Sequence, residues 1–311
     1  MAELTASYLR IVVLSYPFMV LALTMPVFLQ FYGKKIDIII MAMILITTDI
    51  MYNYISIRYM NGGLQGIAAA SVLSYLTAFV YLIIVLIKIP QLRVRFRDFC
   101  CKTVALLLKY GAVYLVYKLC TALMSFAVDR ILAKYGSVEY LAANSILLSL
   151  MLVTGAFSSG IGSTTTMIAS YHFGRGDQPA LNSFFRRIHI ISLMLNAIVT
   201  FVCIVFAEKI VSVFQPQSYM TSECAVHAIR LYSGALMFHS ANHIYRNYYV
   251  SIDRRKIAYL VCSLDNLLLP LITAVIIDGF FNVRNIWLCY PIGQVSAALM
   301  SLLIHQYRRN L

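Results

Sequence analysis

Residues 63–88 read GLQGIAAASVLSYLTAFVYLIIVLIK. From Leu64 to Ile87 no side chain carries a charge, and the run closes on Lys88. About 20 apolar residues in helical form cross the ~30 Å hydrocarbon core of a bilayer. The stretch therefore reads as one membrane crossing with a basic edge.

Eight further segments have the same character. Helices are expected at 8–32, 36–58, 64–88, 105–133, 138–171, 188–214, 225–251, 257–278 and 284–306. The composition agrees, at 61% hydrophobic, 12% charged and a mean hydropathy of +0.80. Nine crossings in 311 residues leave almost nothing for a soluble domain. The expected fold class is all-α: a polytopic membrane protein of about nine transmembrane helices. The segment starting at Tyr8 is too long for a signal-peptide core, so no cleavable signal is read.

The net charge of +13 would suggest a nucleic-acid partner in a soluble protein. Here the Lys and Arg are parcelled into short connections, and no nucleic acid is expected. The connections with Lys34 and Lys35, Lys88 to Lys102, Arg175 to Arg187, Arg254 to Lys256, and the tail with Arg308 and Arg309 hold fifteen basic residues. The alternate connections hold four: Arg58, Lys134, Lys209 and Arg284. The positive-inside rule then places the C-terminus in the cytoplasm and residue 1 outside, in a multi-pass protein of the cell membrane. The loop from Lys88 to Lys102, which alternates Leu92, Val94 and Phe96 with Arg93, Arg95 and Arg97, reads as a strip on the anionic inner leaflet. The seven cysteines form no CxxC pair and fall mostly in apolar runs, where a thiol behaves as a small hydrophobe. Cys100 and Cys101 read as reduced structural thiols.

An internal repeat is visible. The first helix carries Arg10 and ends at Lys34-Lys35-Ile36; the seventh carries Arg230 and ends at Arg255-Lys256-Ile257. Each is followed by a helix with a buried Asp, Asp49 or Asp265, then a Gly/Asn break, then a helix opening at Ile67 or Ile286. Helices one to three thus resemble helices seven to nine, offset by about 220 residues. Parallel repeats of this kind build many transporters. With a unit of six helices, the chain counts as three helices plus six, and preceding helices are expected to be missing.

Three motifs add a family. Helix three opens with Gly63-Leu64-Gln65-Gly66-Ile67-Ala68-Ala69, and helix five with Tyr140-Leu141-Ala142-Ala143-Asn144. The loop after helix five is read as Gly160-Ile161-Gly162-Ser163 and then Tyr171-His172-Phe173-Gly174-Arg175-Gly176-Asp177. In order, spacing and orientation these resemble the MATE family of multidrug and toxic-compound extrusion transporters. The resemblance covers the whole chain, aligned to helices four to twelve of a twelve-helix family. It implies a partial two-lobe bundle, with residues 1–102 as a partial N-terminal lobe and its loop and 103–311 as a six-helix C-terminal lobe. It also implies cation-coupled antiport of organic cations or drugs by alternating access. Locally, Gly174 and Gly176 suit a helix-ending turn, and Asp177-Gln178-Pro179 suits an N-cap followed by an early Pro.

Ionisable groups inside hydrocarbon are costly, so they are site candidates. Asp49 and Asn53 share one face of helix two at i, i+4. Lys118 lies midway along helix four and is also a possible counter-ion for Asp49. Asp129 and Arg130, nearer the outer end, read as a pair. His239, Asn242, His243 and Arg246 form one polar stripe on helix seven, and Asp265 and Asn266 lie on helix eight. The substrate- or cation-binding set is therefore His239, Asn242, His243, Asp49, Asn53, Lys118 and Asp265, with His239 the expected proton sensor. No Glu follows His239 and His243 as in HExxH, so no metal is expected. Tyr110, Tyr114 and Tyr117, with Tyr245, Tyr248 and Tyr249, read first as core packing and second as an aromatic wall.

In the family alignment His239 falls where many MATE proteins carry a cation-binding Asp, Asn242 where they carry Gln, and Thr121 where many carry Glu. Coupling residues of the family are thus replaced here. The expected partners are the bilayer and small organic cations, with H⁺ or Na⁺ as coupling ion, no cofactor, no enzymatic activity, and the chain acting as a monomer. Two alternatives stand beside this: a lipid-linked oligosaccharide flippase of the same superfamily, and a non-transporting or inactive membrane chain.

Overall fold

The computed structural model describes residues 2–89, 100–135, 138–216 and 218–309, without the side chains at 2–5, 27, 31, 110, 308 and 309. The basic strip at 90–99, the Tyr110 side chain and the tail arginines lie outside the described residues. Among the described residues there is no strand. The chain falls into two compact units, Met1–Cys100 and Cys101–Leu311.

The first unit holds α1 (Ala2–Val13), α2 (Tyr16–Phe31), α3 (Lys35–Arg58) and α4 (Gly63–Ile87). Helices α1, α2 and α3 all pack on α4. Helix α4 is the 63–88 stretch, and its buried Ala78, Leu82 and Val85 form a core with Leu29 and Met41. Gly66 lets this pair approach closely, because a Cβ there would stand 2.0 Å from the Ser56 Oγ of α3 and force that hydroxyl to turn away. Small residues let membrane helices approach closely.

The second unit holds α5 (Cys101–Lys134), α6 (Val138–Gly174), α7 (Gln178–Val205), α8 (Ala207–Val213), α9 (Tyr219–Ser233) and α10 (Leu236–Ser251). It continues with α11 (Arg255–Ser263), a π turn (Leu264–Leu268), α12 (Leu269–Phe280), a 3₁₀ turn (Val283–Leu288) and α13 (Cys289–Arg309). Helix α10 is central and packs against α6, α7, α11 and α13. It is the inverse of a soluble amphipathic helix: its polar residues Asn242, His243, Arg246 and Asn247 are buried. Apolar side chains such as Leu108, Leu152, Ile198 and Phe201 are instead exposed. That inside-out distribution is what a lipid surround requires.

Among the described residues seven helices are long and apolar enough to cross a membrane singly, and the bent pair α1 and α2 adds an eighth. The 225–251 segment read from the sequence is divided into α9 and α10, of 15 and 16 residues, each too short to cross alone. By length and composition the described residues thus give seven or eight crossings, close to the expected nine.

Several boundaries differ from the sequence reading, and the 188–214 segment is also divided at Phe206 into α7 and α8. The first helix is not continuous over 8–32: it bends by 51° between Val13 and Tyr16, where Pro17 opens α2. The seventh is interrupted at Gly234. The sixth begins at Gln178 rather than 188, because Asp177 caps it by accepting from the Ala180 N–H at 3.0 Å, with Pro179 in its first turn.

The two breaks belong together. A constant offset of 220 carries the ends of α1, α2 and the starts of α2, α3 and α4 (13, 31, 16, 35, 63) onto 233, 251, 236, 255 and 283, where α9 and α10 end and α10, α11 and the 3₁₀ turn begin. Hydrogen bonds repeat as well: Lys34 N–H to Leu29 O at 3.0 Å matches Arg254 N–H to Tyr249 O at 2.8 Å. Gly33 at φ +72° matches Asp253 at φ +56°. In this register Asp265 corresponds to Leu45, and Asp49 to Leu269, so the two acids are one helical turn out of step rather than equivalent.

Candidate functional site

Pro270 is the local cause of the site. It has no N–H, and its ring clashes with the carbonyl four residues back, that of Asn266. The helix answers with the π turn, in which the Leu269 N–H reaches five residues back to Leu264 O. Asp265 and Asn266 lie on this turn, both buried.

Neutral amides hold the Asp265 carboxylate. Asn242 of α10 donates to Oδ1 at 2.9 Å, and Asn266 donates to Oδ2 at 2.9 Å. Gln294 of α13 donates to the Asp265 carbonyl at 3.1 Å and presents its own Oε1 to Asn242 at 3.1 Å. His239 Nδ1 stands 3.9 Å from Asp265 Oδ1, beyond hydrogen-bond length and within ion-pair distance. No lysine or arginine lies within ion-pair distance of this carboxylate among the described residues. A carboxylate held by neutral donors can gain a proton without stranding a buried cation.

These groups border a cavity of about 490 Å³ inside the second unit. Asp265, Asn266 and Gln294 meet His239 on one side; Tyr117, Lys118 and Thr121 of α5 and Met151 and Leu152 of α6 form others. The His239 side chain is 16% exposed and that of Asp265 2%, so His239 stands in front. Lys118 is exposed and lies 5.4 Å from the centre of the Tyr117 ring.

One turn further along α10, His243 accepts from Arg246 Nη2 at Nδ1, 3.0 Å away. A guanidinium only donates, so Nδ1 is the unprotonated nitrogen of His243. The Arg246 guanidinium also sits 4.1 Å from the centre of the Tyr117 ring. Asn247 completes the stripe: its Oδ1 accepts from Tyr114 at 2.9 Å and Thr166 at 3.0 Å. Gly162 of α6 makes room for it, since a Cβ there would stand 2.6 Å from Asn247 Nδ2.

The structure thus brings together His239, Asn242, His243 and Asp265, with Lys118 on the same cavity wall. Asp49 and Asn53 belong to the first unit, where Asp49 accepts from Ser74 at 3.1 Å and from Asn53 at 3.2 Å. Asp129 does not pair with Arg130: it accepts from Asn144 at 2.8 Å, and Arg130 lies over the Phe126 ring. Sequence reasoning missed Gln294 and Asn247. A lone amide after Gly293 in an apolar helix was the available signal for Gln294. Among the described residues no three His, Cys, Asp or Glu side chains converge as metal ligands.

No curated protein matches the chain. Among solved structures it resembles the outward-facing conformation of a multidrug resistance MATE family transporter of the MOP superfamily, with TM-score 0.89, 17% identity, and 98% of this chain covering 69% of that one. For the inward-facing conformation of such a transporter the TM-score is 0.76 at 16% identity, covering 98% and 71%. A MOP superfamily transporter from Pyrococcus furiosus, described by a reversed polarity of its binding pocket, gives 0.87 at 16%, covering 97% and 69%. At such identities the likeness speaks for the fold alone. The family profile named MatE, however, matches residues 115–276, more than half of the chain. That match runs from α5 through the π turn to α12, across the cavity-lining helices other than α13, and the chain belongs to the MatE family.

Proposed function

We propose that this chain is a proton-coupled membrane exporter of small organic molecules that works by alternating access, as a monomer with its C-terminus in the cytoplasm. One observation carries the reading: a single carboxylate, Asp265, is held only by neutral amides on a cavity wall, with His239 3.9 Å away on the open side. Protonation at this pair would remove or relocate one charge in a low-dielectric site. Such a change shifts the balance between two conformations when they hydrate the pair differently. His243 is committed to Arg246, which leaves His239 as the imidazole for this role.

A drug-sized cargo fits the space. Ligand pockets of about 300–1,000 Å³ take molecules of that size, and this cavity is about 490 Å³. A lipid-linked oligosaccharide is far larger. The organic cations implied by the family resemblance would meet Lys118 on this wall, so proton coupling is proposed without regard to the sign of the cargo.

The test is efflux from liposomes reconstituted with the chain and loaded with lucifer yellow or ethidium. An imposed pH gradient should drive efflux of one dye, and a sodium gradient at uniform pH should not. Asp265→Asn should lose the pH-driven component. Sodium-driven efflux would reassign the coupling ion, and no gradient-dependent efflux of either dye would refute the reading.

A further inference from the structure

The charge that this cavity offers a ligand has one sign. Among its described lining residues the ionisable groups that carry formal charge are Lys118 and Asp265, with His239 able to gain one. Asp265 has both oxygens engaged by Asn242 and Asn266, and its side chain is 2% exposed. Lys118 is exposed, and no carboxylate lies within ion-pair distance of it among the described residues.

Arg246 adds a second cation against the same aromatic ring. It is 3% exposed and sits 4.1 Å from the Tyr117 ring centre. Its Nη2 donates to His243, and the Tyr117 hydroxyl and Cys262 thiol also lie within its reach. No carboxylate lies within ion-pair distance of this guanidinium among the described residues, so its charge adds positive potential behind the cavity wall. Two cations thus lie 4.1 and 5.4 Å from the Tyr117 ring centre, and the one acid on the cavity wall is already satisfied by amides.

We propose that the cavity takes a small organic anion: a carboxylate, sulfonate or phosphate on an aromatic or apolar body. The anionic group meets Lys118, and the body lies along Tyr117, Met151 and Leu152. Arg246 acts through its field and by fixing the Tyr117 ring, not by direct contact. The inference rests on the export reading, since it names that exporter's cargo. An organic cation would face Lys118 with no unengaged acid to receive it.

Binding, measured without transport, separates the two claims. The purified chain in a neutral detergent is titrated with lucifer yellow, an aromatic sulfonate, and with ethidium, an aromatic cation, by fluorescence anisotropy. Lucifer yellow should bind saturably. Lys118→Gln should weaken it about tenfold, whereas Lys118→Arg should hold within about threefold, because the charge and not the shape is recognised. Lys118 is exposed, so neither variant should change the thermal midpoint, and circular dichroism checks this. Ethidium binding with no lucifer yellow binding would overturn the anion assignment and leave the export reading standing. Binding of neither dye would overturn both. Displacement of lucifer yellow by phosphatidylglycerol in mixed micelles, but not by naphthalene sulfonate, would move the anion to a lipid headgroup and overturn the small-molecule assignment.

Discussion

Gly293 of α13 lies so close to Pro270 of α12 that a Cβ at 293 would stand 2.7 Å from the Pro270 Cα. The next residue, Gln294, donates to the Asp265 carbonyl. The contact therefore sets the distance from which Gln294 reaches the π turn. Gly293→Ala should push α13 away at about 1–3 kcal/mol, as overpacking does. The expected result is a lower thermal midpoint in detergent. Gly279→Ala is the control, since a Cβ there meets nothing within 4 Å, and it should leave the midpoint unchanged or slightly raised. Equal effects of the two changes would refute the packing role.

Asn144 joins two partners from different helices. Its Oδ1 accepts from the Trp287 indole at 3.0 Å, and its Nδ2 donates to Asp129 at 2.8 Å. Trp287 is fully buried and is the single tryptophan of the chain. Asn144→Leu should leave the buried Trp287 N–H unpaired and cost about 1–3 kcal/mol. Tryptophan emission reports it directly: the native spectrum should be that of an apolar site, and the variant's should change in position or intensity. An unchanged spectrum and midpoint would contradict the assigned bonds.

Orientation can be read with membrane-impermeant maleimide. Native Cys100 and Cys101 are exposed, and the other five cysteines are buried. Exposed Gln178 and Asn282 lie at opposite ends of the bundle in the charge-based topology. From outside, Asn282→Cys should label, whereas Gln178→Cys, Cys100 and Cys101 should not. Outside labelling of Gln178→Cys would reverse the positive-inside assignment.

Much of the fold was legible because bilayer thickness dictates length. The 64–88 reading lands within one residue of α4 at each end. Breaks were harder. Around the bend from Val13 to Tyr16 the only sequence mark is Pro17, just inside α2, and Gly234 alone does not end a helix in lipid. The 220-residue register makes the two breaks one feature, visible only once both are seen. The polar stripe on α10 was legible because four polar residues at helical spacing have no place facing lipid. Which of them meet was not. The π turn moves Asp265 relative to a regular helix, and the amide clamp needs Gln294 from 29 residues downstream. The match of Asp49 with Asp265 failed for the same reason: helix pairing by similar residues tolerates a one-turn slip.

Proton movement measures the role of Asp265 most directly. Liposomes reconstituted with the chain and filled with the pH dye pyranine are given the transported dye on one side, with no gradient imposed. Wild type should move protons in step with substrate, Asp265→Asn should move neither, and His239→Gln should shift the pH at which the flux is half-maximal. Substrate flux without any pyranine response, or a full response in Asp265→Asn, would contradict proton coupling at this site.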